Sequence, residues 1–243
     1  MQSDGLNDTR WAEHFQLPPV MNMMEAHDRR EQVFIRQGTS MCAALVDCIA
    51  RHERDVPIPE LDILDFGCGV GRVALPLFYA YRKPTACVDV DPACIDYLNS
   101  QIPEANPTVC GYNPPLPFDD GSFDVIYAVS VWTHLPPEKA HEWMLEMVRV
   151  LRPGGVALIT TSNYPVLAVR REKLKAWGWE NVTDDDLRRE GMIFLKRPRP
   201  LPELPGPTEW RRTTRNGFGR TGPSTCRLSR SFPGAYWECR TST

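Results

Sequence analysis

Among the eight cysteines of this 243-residue chain (Cys42, Cys48, Cys68, Cys87, Cys94, Cys110, Cys226 and Cys239), no two stand at Cys-x-x-Cys spacing. That spacing marks most zinc sites, so no metal site is expected. No run of 18 apolar residues occurs, so no membrane span is expected. Residues 1–8, MQSDGLND, have neither the basic nor the apolar stretch of a secretory leader. A basic excess is also missing: 28 Lys and Arg face 31 Asp and Glu, a net charge of −3. Nucleic acid is therefore not an expected partner, since a phosphate backbone demands a positive footprint. Scattered thiols inside apolar stretches behave as small core residues, which points to a reduced, cytoplasmic setting. The length suits one good core with a tail.

The last 47 residues lack most of what a folded edge uses. Residues 197–243 hold no Val, Ile, Met, Lys or Asp, but seven Pro, nine Arg and three Glu. This segment carries +6, and residues 1–196 carry −9. Without Val or Ile a strand pair is disfavoured, and the bias points to disorder. Three readings stand: a flexible basic arm for an acidic partner or RNA, a solvated extension, or a C-terminus replaced through a shift of reading frame.

What is present is concentrated between residues 60 and 162. At 63–72, ILDFGCGVGR, an apolar run ends in Asp65, and Gly67, Gly69 and Gly71 follow at alternate positions. A strand feeding a glycine-rich turn and a helix brings bare backbone N–H groups and a helix N-terminus to a ligand. The dinucleotide fingerprint is G-x-G-x-x-G, whereas this loop is G-x-G-x-G with Arg72 next. A carboxylate so placed would repel a pyrophosphate and attract an ammonium group. About twenty residues on, ACVDVDP (86–92) ends a second apolar strand in Asp89, and Asp91-Pro92 reads as an N-cap with proline at N1. Next comes PPLPFDDGSFDVIYAVSVWTHL (114–135), a turn signal before a buried parallel strand over 123–129. At 136–155, Ala140, Trp143, Met144, Met147, Val148 and Leu151 share one helix face, and Pro153-Gly154-Gly155 is expected to stop that helix and turn the chain. A fifth strand follows over 156–161.

With these four motifs in order, the segment resembles class I S-adenosylmethionine-dependent methyltransferases of the small-molecule type. The resemblance implies an α/β, Rossmann-like, doubly wound and mostly parallel sheet with helices on both faces. It implies S-adenosyl-L-methionine as cofactor, with Asp65, Gly67, Cys68, Gly69, Gly71, Asp89, Val90, Asn113 and Ser130 as its binding residues. Asp89 takes the ribose hydroxyls in that scheme. Many relatives place an acid before the LPF tripeptide to bond adenine; here Gly111-Tyr112-Asn113 stands there, and Asn113 takes the contact. The chemistry implied is direct in-line displacement of a methyl group onto a small-molecule, glycan or lipid-type acceptor. His134, just past the fourth strand, is the candidate base, against the alternative that it caps or packs on the next helix. Ser130 and Trp132 are expected at the pocket wall, and Tyr164 at its rim. Other functions compatible with the loop are a catalytically silent cofactor-binding module and an NAD-dependent oxidoreductase.

The expected organisation is an N-terminal helical lid or cap over 1–55, a methyltransferase core over 56–196, and a disordered tail over 197–243. The helix at 28–53 is either a cofactor lid or a helix packed on the sheet. Strands are expected near 61–66, 85–90 and 108–110, with helices near 71–82 and 93–101. Helices over 166–178 and 183–190 and a strand over 192–195 are expected beyond them. At most one of the two antiparallel strands that close such sheets is visible, so the edge after strand five is expected to be incomplete. The oligomeric state is not encoded in these motifs.

Overall fold

The structure, a computed structural model, describes residues 9–18, 30–52, 56–161 and 183, together with the backbone of 225–232 and 234–240. The elements expected over 166–178, 183–190 and 192–195, and Tyr164, lie outside these residues, Thr183 alone excepted.

Five parallel strands form the centre of the sheet: β1 (Ile63–Phe66), β2 (Ala86–Asp89), β3 (Pro107–Val109), β4 (Phe123–Ala128) and β5 (Leu151–Thr160). Helices α1 (Arg30–His52), α2 (Ala74–Tyr81), α3 (Pro92–Gln101) and α4 (Pro137–Val150) complete the βαβ alternation, and the strand order is β3-β2-β1-β4-β5-β7-β6. Every residue of β1 is buried, as expected for a strand covered on both faces. On one face, Cys42, Leu45, Val46, Cys48 and Ile49 of α1 pack with Ile63, Val125, Tyr127, Val156 and Leu158. Beside them, Leu75 and Phe78 of α2 and Ile95 and Leu98 of α3 close over Cys87. On the opposite face, Trp143, Met147 and Val150 of α4 cover Leu64, Phe66, Val88, Ile126 and Ala157. Helix α1 is long and apolar enough to cross a bilayer, but its apolar stripe lies in this core. Asp91 caps α3 by accepting from Ala93 N at 2.9 Å, as its sequence suggests. At the other end of the sheet, Arg152 bridges Asp62 (2.7 Å) and Asp124 (2.6 Å) and ties together the entries of β1, β4 and β5.

Two expectations are corrected. First, Pro153-Gly154-Gly155 does not end the helix: α4 stops at Val150 and Leu151 begins β5 at once. The three residues form a bulge, because Phe123 pairs with Leu151 while Val125 pairs with Val156. Gly154 has φ +85°, and a Cβ on Gly155 would stand 2.9 Å from two carbonyl oxygens, so the glycines serve the bulge. Second, the sheet edge is not incomplete. Within the segment expected to lack strands, β6 (Thr225–Phe232) and β7 (Gly234–Arg240) form an antiparallel pair. Strand β7 runs along β5 from Val156↔Arg240 to Thr160↔Tyr236. The ladder is made by backbone groups that every non-proline residue carries, and Phe232, Tyr236 and Trp237 are strand-favouring aromatics.

Candidate active site

Sequential order reverses at β1, with β2 on one side and β4 on the other. A crevice therefore opens at the carboxyl ends of β1 and β4, where open α/β sheets receive ligands. The glycine loop rises from β1 at that point. Gly67 N (2.8 Å) and Cys68 N (3.1 Å) both donate to Val88 O of β2, Gly71 N donates to Cys68 O, and Leu75 N donates to Gly71 O as α2 begins. All three glycines have positive φ, +75°, +53° and +74° in order, so each position resists a side chain. Their surroundings differ. A Cβ on Gly67 would lie 2.3 Å from Val131 Cγ2, and one on Gly71 would lie 2.6 Å from Leu98 Cδ2. A Cβ on Gly69 would have nothing within 4 Å. Gly67 and Gly71 thus permit packing, and Gly69 leaves open space.

Asp89, half-buried at the end of β2, grips that loop. Its Oδ2 accepts from Gly69 N at 2.7 Å and its Oδ1 accepts from Asp91 N at 3.0 Å. Each oxygen keeps a lone pair for a hydroxyl donor. Asp65 lies below, 3% exposed, and accepts from the Tyr127 hydroxyl at 2.8 Å. Burial pushes its carboxyl up to about 8; the Asp89 charge adds to the rise, while the Tyr127 hydrogen bond and Arg72 oppose it. A buried acid of this kind, placed in a cleft, is poised to ionise against an incoming cation.

The far wall follows β4. Ser130 holds φ +63° and donates its N–H to Thr160 Oγ1 at 2.7 Å. Val131 packs on Gly67, and the turn Trp132–His134 follows, with His134 N donating to Val131 O at 2.8 Å. His134 is exposed beyond the carboxyl end of the sheet.

Of the residues expected from sequence, Asp65, Gly67, Gly69, Gly71 and Asp89 converge on one loop. Val90 follows Asp89 and is half-buried. Cys68 points into the core, where its thiol meets that of Cys87. Asn113 is exposed, in the 111–115 span beyond Cys110, whose N–H donates to Asp89 O at 2.9 Å. Trp132 is not a pocket wall: it is buried at 6% exposure, with its ring 5.9 Å from Phe66, and among the described residues its indole N–H has no partner. Tyr127, Val131 and Thr160 were not legible as site residues. Tyr127 meets Asp65 through the β1–β4 register, which no local pattern encodes.

The residues present fit S-adenosylmethionine: a glycine with free space beside it, a carboxylate with lone pairs at a strand end, and a buried acid nearby. Residues 64–159 match the family described as methyltransferase domain. The chain is 32% identical over 123 residues to the tRNA N(3)-cytidine methyltransferase METTL2 of Danio rerio, covering 46% of this chain and 35% of that protein. It is 29% identical over 158 residues to the ubiquinone biosynthesis O-methyltransferase of Rickettsia bellii, covering 58% and 59% respectively. It thus spans between about a third and three-fifths of these curated relatives. A solved structure described as a putative S-adenosyl-L-methionine-dependent methyltransferase from Methanococcus maripaludis aligns with a TM-score of 0.54 at 12% identity, over 88% of this chain and 90% of that one, which speaks for the fold. The dinucleotide oxidoreductase reading of the glycine loop falls with these matches. By its loop, its strand-end acid, its strand order and its matches, the 64–159 segment of this chain is a methyltransferase domain of the class I S-adenosylmethionine-dependent type.

Proposed function

We propose that this protein binds S-adenosylmethionine across the β1–β4 crevice and methylates a small-molecule, glycan or lipid-type acceptor. The observation that carries the reading is Asp89 gripping the Gly69 amide beside open space at the point where the strand order reverses. When bound, the cofactor supplies a methyl group already activated on sulfonium sulfur. The protein's task is then to hold acceptor and methyl in line, which contributes much of the rate in such transfers. In this reading Asp89 takes the ribose hydroxyls and Asp65 receives the cofactor ammonium. The loop amides border the amino-acid portion. Val90 and Asn113 flank the base, and Ser130 offers backbone to the pocket.

His134 is the proposed base, exposed where an acceptor would enter. A His134→Gln variant should bind cofactor as the wild type does and lose turnover, together with the acid limb of its pH profile. Unchanged turnover removes His134 from the chemistry.

A tRNA acceptor is the second reading, favoured by the similarity to METTL2. The net charge of −3 weighs against it. Calorimetric titration with S-adenosylmethionine, S-adenosylhomocysteine and NAD, with Asp89→Ala alongside, tests the cofactor. Binding of the two sulfur compounds that is lost in the variant supports the proposal, and binding of NAD alone overturns it. A panel of small-molecule acceptors run beside tRNA then separates the two readings. Cofactor binding without turnover on either identifies a silent binding module.

A further inference from the structure

We propose that Glu146 and Arg149, at the end of α4, are positioning residues that hold the loop beside Asp89 in the shape that receives the nucleoside end of the cofactor. The inference rests on the function proposed above.

Glu146 is 6% exposed, an unusual place for a carboxylate on an amphipathic helix. Its Oε1 accepts from Leu116 N at 2.7 Å and from Arg149 Nη2 at 2.6 Å, and its Oε2 accepts from Arg149 Nε at 2.9 Å. Arg149 reaches further along the same loop. Its Nη1 donates to Phe118 O (2.9 Å) and to Asp120 Oδ1 (2.7 Å), and its Nη2 donates to Leu116 O (3.3 Å). The Arg149 carbonyl accepts from Gly121 N at 2.9 Å. Residues 116–121 are thus bound along their length to a single helix turn. Arg149 holds Glu146 ionised, its carboxyl below the usual range, with the Leu116 N–H assisting.

A helical i,i+3 ion pair needs none of this burial, and a buried pair is often replaceable by apolar residues without loss of stability. What this pair adds is a fixed conformation. The span 111–115 is anchored at one end by Cys110 N on Asp89 O and at the other by Glu146 and Arg149 on Leu116. Tyr112 and Asn113 stand exposed between these anchors. The stretch between the ribose-binding acid and the start of β4 therefore takes its shape from α4.

The test uses the full chain with Glu146→Gln, Arg149→Lys and, as the mildest change, Asp120→Asn at an exposed partner. Glu146→Gln keeps an acceptor for the Leu116 N–H, and Arg149→Lys keeps the charge but loses the planar fork. Calorimetry with S-adenosylhomocysteine and with adenosine, thermal unfolding, and the KM-against-kcat split for S-adenosylmethionine are read together. For Arg149→Lys we expect about tenfold weaker binding of both ligands, the loss of a charge-assisted hydrogen bond or two. KM should rise by a similar factor, with kcat at saturation retained. Glu146→Gln should fall between this variant and the wild type, and Asp120→Asn closest to the wild type. Folded variants that bind both ligands like the wild type overturn the inference, as does a fall in kcat at unchanged KM. A wild-type chain that binds neither ligand fails the underlying reading instead.

Discussion

Replacing Asp65 by Asn should make the protein more stable at neutral and alkaline pH. Asp65 is 3% exposed, and its carboxyl rises from near 3.8 to about 8 in the fold, chiefly through burial. The unfolded chain gives up this proton near pH 4, while the folded chain keeps it to about pH 8. Between these values the folded state holds one more proton, so stability falls as pH rises, by about 1.4 kcal/mol per pH unit. Over the whole window the loss is roughly 4–6 kcal/mol, complete above pH 8 and absent below pH 4. Asparagine cannot ionise, and its side-chain carbonyl can still accept from the Tyr127 hydroxyl that lies 2.8 Å from Asp65. Denaturant unfolding of both proteins from pH 4 to pH 9 measures the difference. The curves should coincide at the acid end and separate steadily, with Asp65→Asn the more stable at pH 8. Parallel curves, or a wild type that gains stability relative to the variant as pH rises, would mean that Asp65 is ionised in the fold. A cofactor ammonium arriving beside Asp65 should also release close to one proton near pH 7 in the wild type and none in the variant. The dependence of binding enthalpy on buffer ionisation reads this directly.

The loop glycines should separate stability from binding. Gly67→Ala brings a Cβ to 2.3 Å from Val131 Cγ2 at φ +75°, and its cost in denaturant unfolding is expected on the order of 2–4 kcal/mol. Gly69→Ala meets no atom within 4 Å, so the strain of positive φ alone should cost about 1–2 kcal/mol while S-adenosylhomocysteine binding drops more than about tenfold. An equal stability loss at both positions would contradict the division of roles. At the opposite end of the sheet, Arg152→Gln breaks the pairs with Asp62 and Asp124, but the side chain is 40% exposed. Solvent screening limits the loss to about 1 kcal/mol, shrinking further at high salt, and a loss above about 3 kcal/mol would mean that the clamp is structural rather than electrostatic.

How much was legible follows from where the information lies. The strand–loop–helix at 63–81, the acid ending β2 and the cap at Asp91 are local patterns, and each appears where its sequence placed it. Glycine alternation and an apolar run ending in an acid constrain the backbone within a few residues, so they survive without tertiary context. The Pro153-Gly154-Gly155 bulge reads in sequence as a helix stop because a stop signal and a strand bulge use the same residues, and only pairing with β4 separates them. Side-chain composition hid β6 and β7, whose ladder depends on the edge that β5 offers. The place of Trp132 after β4 points to the pocket, whereas packing against Phe66 takes it into the core. Local pattern along the chain is enough for the fold class, the glycine loop and the acids at Asp65 and Asp89. Tertiary structure decided that Asp65 meets Tyr127, that Gly67 faces Val131, that Asp89 holds the Gly69 amide, and that α4 governs the loop at 116–121. Register and helix docking create those contacts between residues 20 to 64 positions apart, beyond the reach of any periodic pattern along the chain.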